Sequence, residues 1–160
     1  MIELIRTNSK NKDFVNLVKH LDAYLKICDG PDHSFYDQFN KIDSLKHVVV
    51  AYNNDIAMGC GAFKIHEGNF VEIKRMYVSP EGRRRGIASK VLSELENWAK
   101  ELNFTKCILE TGKQQPEAIE LYKNCNYTIT SNFGLYENVE NSVCFEKALY
   151  IKQLTIFRKK

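Results

Sequence analysis

No apolar run in the chain approaches the roughly 20 residues that a helix needs to cross a bilayer, so a membrane-spanning helix is excluded and no membrane partner is expected. Cysteine occurs five times, at 28, 60, 107, 125 and 144, but the number is odd and no C-x-x-C pair is present. No charged-then-apolar leader precedes them, so reduced thiols and a cytoplasmic location are the expectation. The four histidines, at 20, 33, 47 and 66, lack metal-ligand spacing, and no metal site is expected. Two nucleotide-binding signatures are missing as well, the G-x-x-x-x-G-K-[ST] phosphate loop and the G-x-G-x-x-G dinucleotide fingerprint. The net charge is only +3, and the basic residues are scattered except at Arg83–Arg85 and Arg158–Lys160. A general nucleic-acid face is therefore not expected.

What is present is globular in composition: 44% hydrophobic and 27% charged residues, with 9 Phe and 8 Tyr. A chain of 160 residues can bury a continuous core, and a single domain over 1–160 is the expectation. Ile2–Ile5 alternates like a strand, and Phe14, Val15, Leu17, Val18, Leu21 and Leu25 recur at helical spacing. Asp29-Gly30-Pro31-Asp32 stops that helix, and Ser34 can cap a second, short one over Phe35–Ile42. From Lys46 the period becomes two, giving strands at His47–Tyr52, Ile56–Ile65 and Phe70–Val78, the first pair joined by the hairpin composition Asn53-Asn54-Asp55. A helix follows with the apolar face Ile87, Val91, Leu92, Leu95, Trp98, Ala99 and Leu102. Lys106–Glu110 is a strand reached by a crossover and so parallel to Phe70–Val78. Pro116 opens another helix through Cys125, Asn126 can take the left-handed conformation that ends it, and Tyr127–Thr130 and Val143–Leu149 are the last strands. The predicted order is β-α-α-β-β-β-α-β-α-β-β, an α/β fold.

Between the fourth strand and the following helix stands Arg83-Arg84-Arg85-Gly86-Ile87-Ala88. Free amides and the positive end of the helix dipole converge at such a place, and Gly86 and Ala88 let an anion come close to the backbone. A pyrophosphate suits the turn better than a base edge. The same string also suits a solvated basic turn, so its neighbours must decide. Ile73 and Met76 cannot both point into one core at a strict period of two, since Glu72, Lys74, Met76 and Val78 would share one face, and a bulge near Arg75 or Met76 resolves the conflict.

Arg83-x-x-Gly86-x-Ala88, opening the helix after the fourth strand, resembles the [Q/R]-x-x-G-x-[G/A] motif of the GNAT-type N-acetyltransferase superfamily. Gln115-Pro116-Glu117-Ala118-Ile119-Glu120-Leu121-Tyr122 resembles its later N-x-x-A-x-x-L-Y motif, with Gln115 in place of the asparagine. The resemblance covers Val48–Leu149. It implies an acyl-CoA N-acyltransferase-like fold with a mixed, mostly antiparallel central sheet flanked by helices, and acetyl-CoA as cosubstrate. It further implies that Arg83, Arg84, Arg85, Gly86, Ile87 and Ala88 hold the coenzyme A pyrophosphate, and that the amides of Met76, Tyr77 and Val78 pair with the pantetheine arm. Gln115 and Tyr122 would border the cosubstrate from the later motif.

The resemblance also names two proton carriers. Glu72 lies thirteen positions before Arg85, where several GNAT-type enzymes carry a glutamate general base, and Tyr122 takes the place of the superfamily's usual general acid. An alkylammonium of pKa about 10.4 must lose a proton to become a nucleophile, and a departing thiolate must gain one. Each residue has a structural alternative. Glu72 can pair with Lys74, Arg75 or a cross-strand cation, and Tyr122 can pack as a core aromatic. Glu110 is the second candidate base. The expected acceptor is a small-molecule, peptide or protein amine, gripped by the residues 1–47 and the last two strands, with Tyr24, Asp32, His33, Tyr36, Phe133 and Tyr136 as candidates. A coenzyme A-binding sensor and an RNA-binding domain are the alternatives from other classes. The tail from Tyr150 to Lys160 packs on its own domain or on a second subunit, a homodimer being the preferred expectation.

Overall fold

A computed structural model describes residues 1–29 and 45–150 of the protein. Among the described residues seven strands and three α-helices follow one another as β1 (Ile2–Thr7), α1 (Lys12–Asp29), β2 (His47–Asn53), β3 (Ile56–His66), β4 (Phe70–Val78), α2 (Ile87–Glu101), β5 (Lys106–Gly112), α3 (Pro116–Asn124), β6 (Thr128–Thr130) and β7 (Ser142–Ala148), the succession read from the sequence. The strands make one sheet in the order β1-β2-β3-β4-β5-β7-β6, antiparallel throughout except for β4 and β5. The short helix expected over Phe35–Ile42 and the tail beyond Tyr150 lie outside the described residues.

Local chemistry accounts for the turns. Asn54 and Asp55 both have positive φ, 50° and 68°, as the tightest hairpin loops require, and they join β2 to β3 with Asn53 opposite Ile56. Asn126 has φ 71° and ends α3, the conformation that asparagine tolerates well. The period-two pattern of β2 sends its side chains to two different cores. Val48 and Val50 pack with Phe14, Leu17 and Val18 of α1, whereas Val49 and Ala51 pack with Ile87, Val91, Leu92, Leu95 and Ala99 of α2. Leu102, expected to extend that helical face, is the C-cap of α2 and 43% exposed. Beneath α2 the buried Glu96 accepts hydrogen bonds from the Tyr127 hydroxyl (2.8 Å) and the Lys147 ammonium (2.9 Å), tying the helix to β7.

β4 carries one residue too many for its partner. Cys60 pairs with Tyr77 and Ala62 with Lys74, so Gly61 alone faces both Arg75 and Met76. Arg75 absorbs the extra residue at φ 59°. After it the strand has changed face: Met76 and Val78 pack with Val71 and Ile73 against α2, and Tyr77 packs on the α1 side. The grouping of Met76 and Val78 with Glu72 and Lys74, expected at a strict period of two, is thereby corrected, and the expected bulge is its cause. The Arg75 side chain, 2% exposed, ion-pairs with Asp22 of α1.

Gly61 is required by close approach. A Cβ there would fall within 2.9 Å of Val91 Cγ1 and Leu95 Cδ1, and closer still to Met76 Sδ. Gly61→Ala therefore overpacks the seam between the bulge and α2 and should destabilise the protein by about 1–3 kcal/mol. Urea unfolding measures this, and an unchanged midpoint would contradict the packing account.

Candidate functional site

β4 and β5 pair only over Phe70–Glu72 and Lys106–Ile108. Past that point β5 stays with β7 as far as Gly112 opposite Ser142, while β4 follows β3 through the bulge. The two strands diverge and leave a cavity of about 110 Å³ between them. Its walls come from Leu21 and Leu25 on α1, Glu72 to Met76 on β4, and Glu110 to Gly112 at the end of β5. Gln115, Ala118 and Tyr122 of α3, together with Tyr136, complete it. The cavity exists because a parallel pair has been split by an extra residue in one strand.

Glu72 is buried on this wall, its side chain 7% exposed. Its Oε1 lies 2.9 Å from His66 Nε2, its Oε2 lies 3.7 Å from Lys74 Nζ, and the Tyr136 hydroxyl hydrogen-bonds to it. The ion pairing expected as its structural alternative is present with Lys74, while Glu72 also borders the cavity, and Arg75 pairs with Asp22 instead. Burial pushes the Lys74 pKa down, and the Glu72 charge opposes that shift. Glu110, across the cavity, accepts a 2.6 Å hydrogen bond from Ser142 Oγ.

Tyr122 is both a core aromatic and a cavity residue. Its ring packs in the core, with centroids 5.9 Å from those of Tyr127 and Phe145, and the residue borders the cavity. Burial, followed by the charges of Cys125 and Glu110, raises its pKa above the ordinary phenol value. Gln115 stands at the N-cap of α3, and its backbone N–H donates to Gly112 O at 3.0 Å.

The arginine turn is open to solvent. Arg83 to Gly86 are exposed, while Ile87, 1% exposed, anchors the start of α2 in the core. Gly86 is left-handed, φ 71° and ψ 18°, and nothing lies within 4 Å of where a Cβ would be. The glycine is there for backbone conformation, and space is left above it. Lys90 makes the first intrahelical bond back to Gly86 O (3.1 Å), so the first-turn amides have no acceptor within the helix. Free amides, a helix N-terminus, three guanidinium groups and an open approach fit a pyrophosphate.

Electrostatics connect the turn to α1 and α3. The Tyr24 pKa on α1 is pushed up to about 12 by its hydrogen bond with Cys28 and by burial, with Glu117 of α3 adding to the shift and Arg83 opposing it. The Cys125 thiol approaches Ser89 Oγ at 3.8 Å, linking the end of α3 to the first turn of α2. Met76 lines the cavity directly. Tyr77 and Val78, also expected to border the cosubstrate, continue β4 from there toward the turn, where Val78 O accepts from Arg83 Nε at 3.4 Å.

Among the acceptor candidates, Tyr24 is 38% exposed on α1, and Phe133 stacks edge-on against Tyr136 at 5.6 Å. Tyr136 is buried beside Glu72. Asp32, His33 and Tyr36 lie outside the described residues. The contact of His66 with Glu72 was not among the sequence expectations. The available signal was cross-strand register: Lys64 faces Glu72 and His66 faces Phe70, which sets His66 on the diagonal to the glutamate.

The chain matches the model of the acetyltransferase (GNAT) family over residues 15–127. It is 29% identical over 150 residues to the "IAA acetyltransferase" of Azospirillum brasilense, covering 92% of this chain and 98% of that protein. A Klebsiella pneumoniae structure described as an acyl-CoA N-acyltransferase superposes with a TM-score of 0.79 at 27% identity, covering 94% and 99% of the two chains. The fold also matches the PaiA N-acetyltransferase of Thermoplasma acidophilum, solved in complex with coenzyme A, with a TM-score of 0.69 at 18% identity over 92% and 99% of the chains.

Burial raises the phenol pKa values of Tyr122, Tyr127 and Tyr136 in the folded state. A raised folded value contributes stability that is complete below the ordinary value of about 10 and is lost as pH rises above it. Following tyrosinate absorbance against pH should resolve exposed tyrosines ionising near that ordinary value and a later phase coincident with loss of circular dichroism. Ionisation of all 8 tyrosines in one early phase, with the fold intact, would contradict the burial of these rings.

Proposed function

The chain belongs to the GNAT family of acetyltransferases, and from that premise we propose that it moves the acetyl group of acetyl-CoA to a primary amine by direct attack within a ternary complex. The observation carrying this reading is the parting of β4 from β5, which brings a buried carboxylate and a buried phenol to one cavity, while β4 runs on toward the arginine-glycine turn that opens α2. Bound acetyl-CoA supplies an activated thioester.

The chain's own residues do the rest. Arg83 to Ala88 hold the pyrophosphate, through first-turn amides and through guanidinium charge. The β4 edge from Met76 to Val78, which has left β5, offers backbone groups to the pantetheine arm, and Gln115 borders it from α3. Glu72 takes a proton from the acceptor ammonium, whose ordinary pKa of about 10.4 otherwise keeps the nitrogen lone pair occupied. Glu110 is the second carboxylate within the cavity. Tyr122, kept protonated by burial, holds its proton for the sulfur that leaves. A protein that only sensed coenzyme A would have no use for a buried acid-base pair at the end of the arm.

Two measurements test the reading. Thermal-shift titration should show stabilisation by acetyl-CoA, of about 2.7 kcal/mol at a hundredfold excess over the dissociation constant, and no shift at a large excess would sink the cosubstrate assignment. Tyr122→Phe should slow thiol release with an accepted amine by roughly ten- to a thousandfold while acetyl-CoA binding persists. Unchanged turnover would remove Tyr122 from the reaction. A thiol-release screen across small amines, polyamines, amino acids and peptide N-termini identifies the acceptor.

A further inference from the structure

We infer that His66 is the outlet through which Glu72 sheds the proton it takes from the acceptor, an inference that rests on the acetyl-transfer reading. A carboxyl that captures a proton in this cavity must lose it before the next turnover. The side chain of Glu72 is 7% exposed, and its polar neighbours differ in their access to solvent. Lys74 is 9% exposed at its side chain and Tyr136 is buried, while the His66 imidazole is 30% exposed. They differ in chemistry too. An ammonium has no lone pair to offer, and the phenol donates to the carboxylate, whereas a neutral imidazole has one nitrogen that accepts and one that donates.

The ring is held for this role. His66 ends β3 and stacks on Phe70 with centroids 5.2 Å apart and planes 10° from parallel, which keeps Nε2 at 2.9 Å from Glu72 Oε1. The charged groups around it are Glu72 on β4, Lys106 of β5 lying 5.4 Å from the Phe70 centroid, and Lys64 and Glu67 next to it along the chain. Tyr136 reaches the same carboxylate from the turn before β7.

The proton balance is simple. The N–H bond of the ammonium breaks and an O–H bond forms on Glu72, leaving a neutral amine. The carboxyl turns about its broad terminal torsion and passes the proton to the Nε2 lone pair of the Nδ1–H tautomer. The imidazolium then loses its Nδ1 proton to water, and exchange with solvent restores the starting tautomer. One proton leaves per turnover, with no further reactant. His66 touches neither substrate and acts through Glu72 as a positioning residue.

Two variants test this in the full chain, by thiol release from acetyl-CoA with an amine that the wild type accepts. His66→Gln keeps a hydrogen-bond donor for Glu72 but cannot take a proton, and His66→Ala removes both functions. For His66→Gln, kcat should fall about tenfold while the acetyl-CoA thermal shift persists. Added imidazole should restore part of the kcat of His66→Ala. An unchanged kcat in His66→Gln overturns the relay, as does a loss in His66→Ala that imidazole does not recover. Failure of the wild type to bind acetyl-CoA overturns the acetyl-transfer reading instead, so the two failures are told apart by ligand binding.

Discussion

The interaction on which the rest of the structure depends is the mismatch between Gly61 and the two residues opposite it, Arg75 and Met76. A left-handed arginine costs roughly 1–2 kcal/mol of backbone energy, and the buried ion pair with Asp22 holds that conformation in place. From this one inserted residue follow the change of face in β4, the parting of β4 from β5, and the cavity between them. The glycine opposite is small because Met76, freed by the bulge, occupies the space that a side chain would need.

Among the described residues, buried charges sit in groups of two to four. Arg75 meets Asp22, Glu96 meets Tyr127 and Lys147, and Glu72 meets His66, Lys74 and Tyr136. An unpartnered buried charge would be expensive, which explains the pairing, but the sets differ in what they face. Glu96 sits on the buried face of α2 and joins elements; Glu72 opens onto a cavity, as does Glu110.

Most of the fold was legible because the relevant signals were local. Helical spacing marked α2, alternation marked β2 and β3, and Asn126 marked the end of α3. The bulge was legible for a different reason, a conflict between Ile73 and Met76 that a regular strand cannot satisfy. What stayed hidden depends on contacts between distant segments. No pattern announces that Arg75 will turn toward Asp22 of α1, fifty-three residues earlier, or that Tyr136 will be buried against Glu72. His66 needed the register of the β3–β4 hairpin, and a one-residue slip would have sent it to the other face. Glu72 and Tyr122 each make the contacts of their structural alternative, ion pairs for one and ring packing for the other, and each also borders the cavity.

The short seam between β4 and β5 also has a mechanical meaning. The sheet is two stiff leaves, β1 to β4 and β5 to β7, stitched by three residue pairs and splinted on one side by α2, whose Ile87, Leu92 and Leu95 share a core with residues of both leaves. A force prying the leaves apart would meet many hydrogen bonds within each leaf and few across the stitch. Among the seams between strands of six residues or more, the one with the fewest pairs is therefore the one along which the cavity opens, and compliance between the two leaves falls on that line.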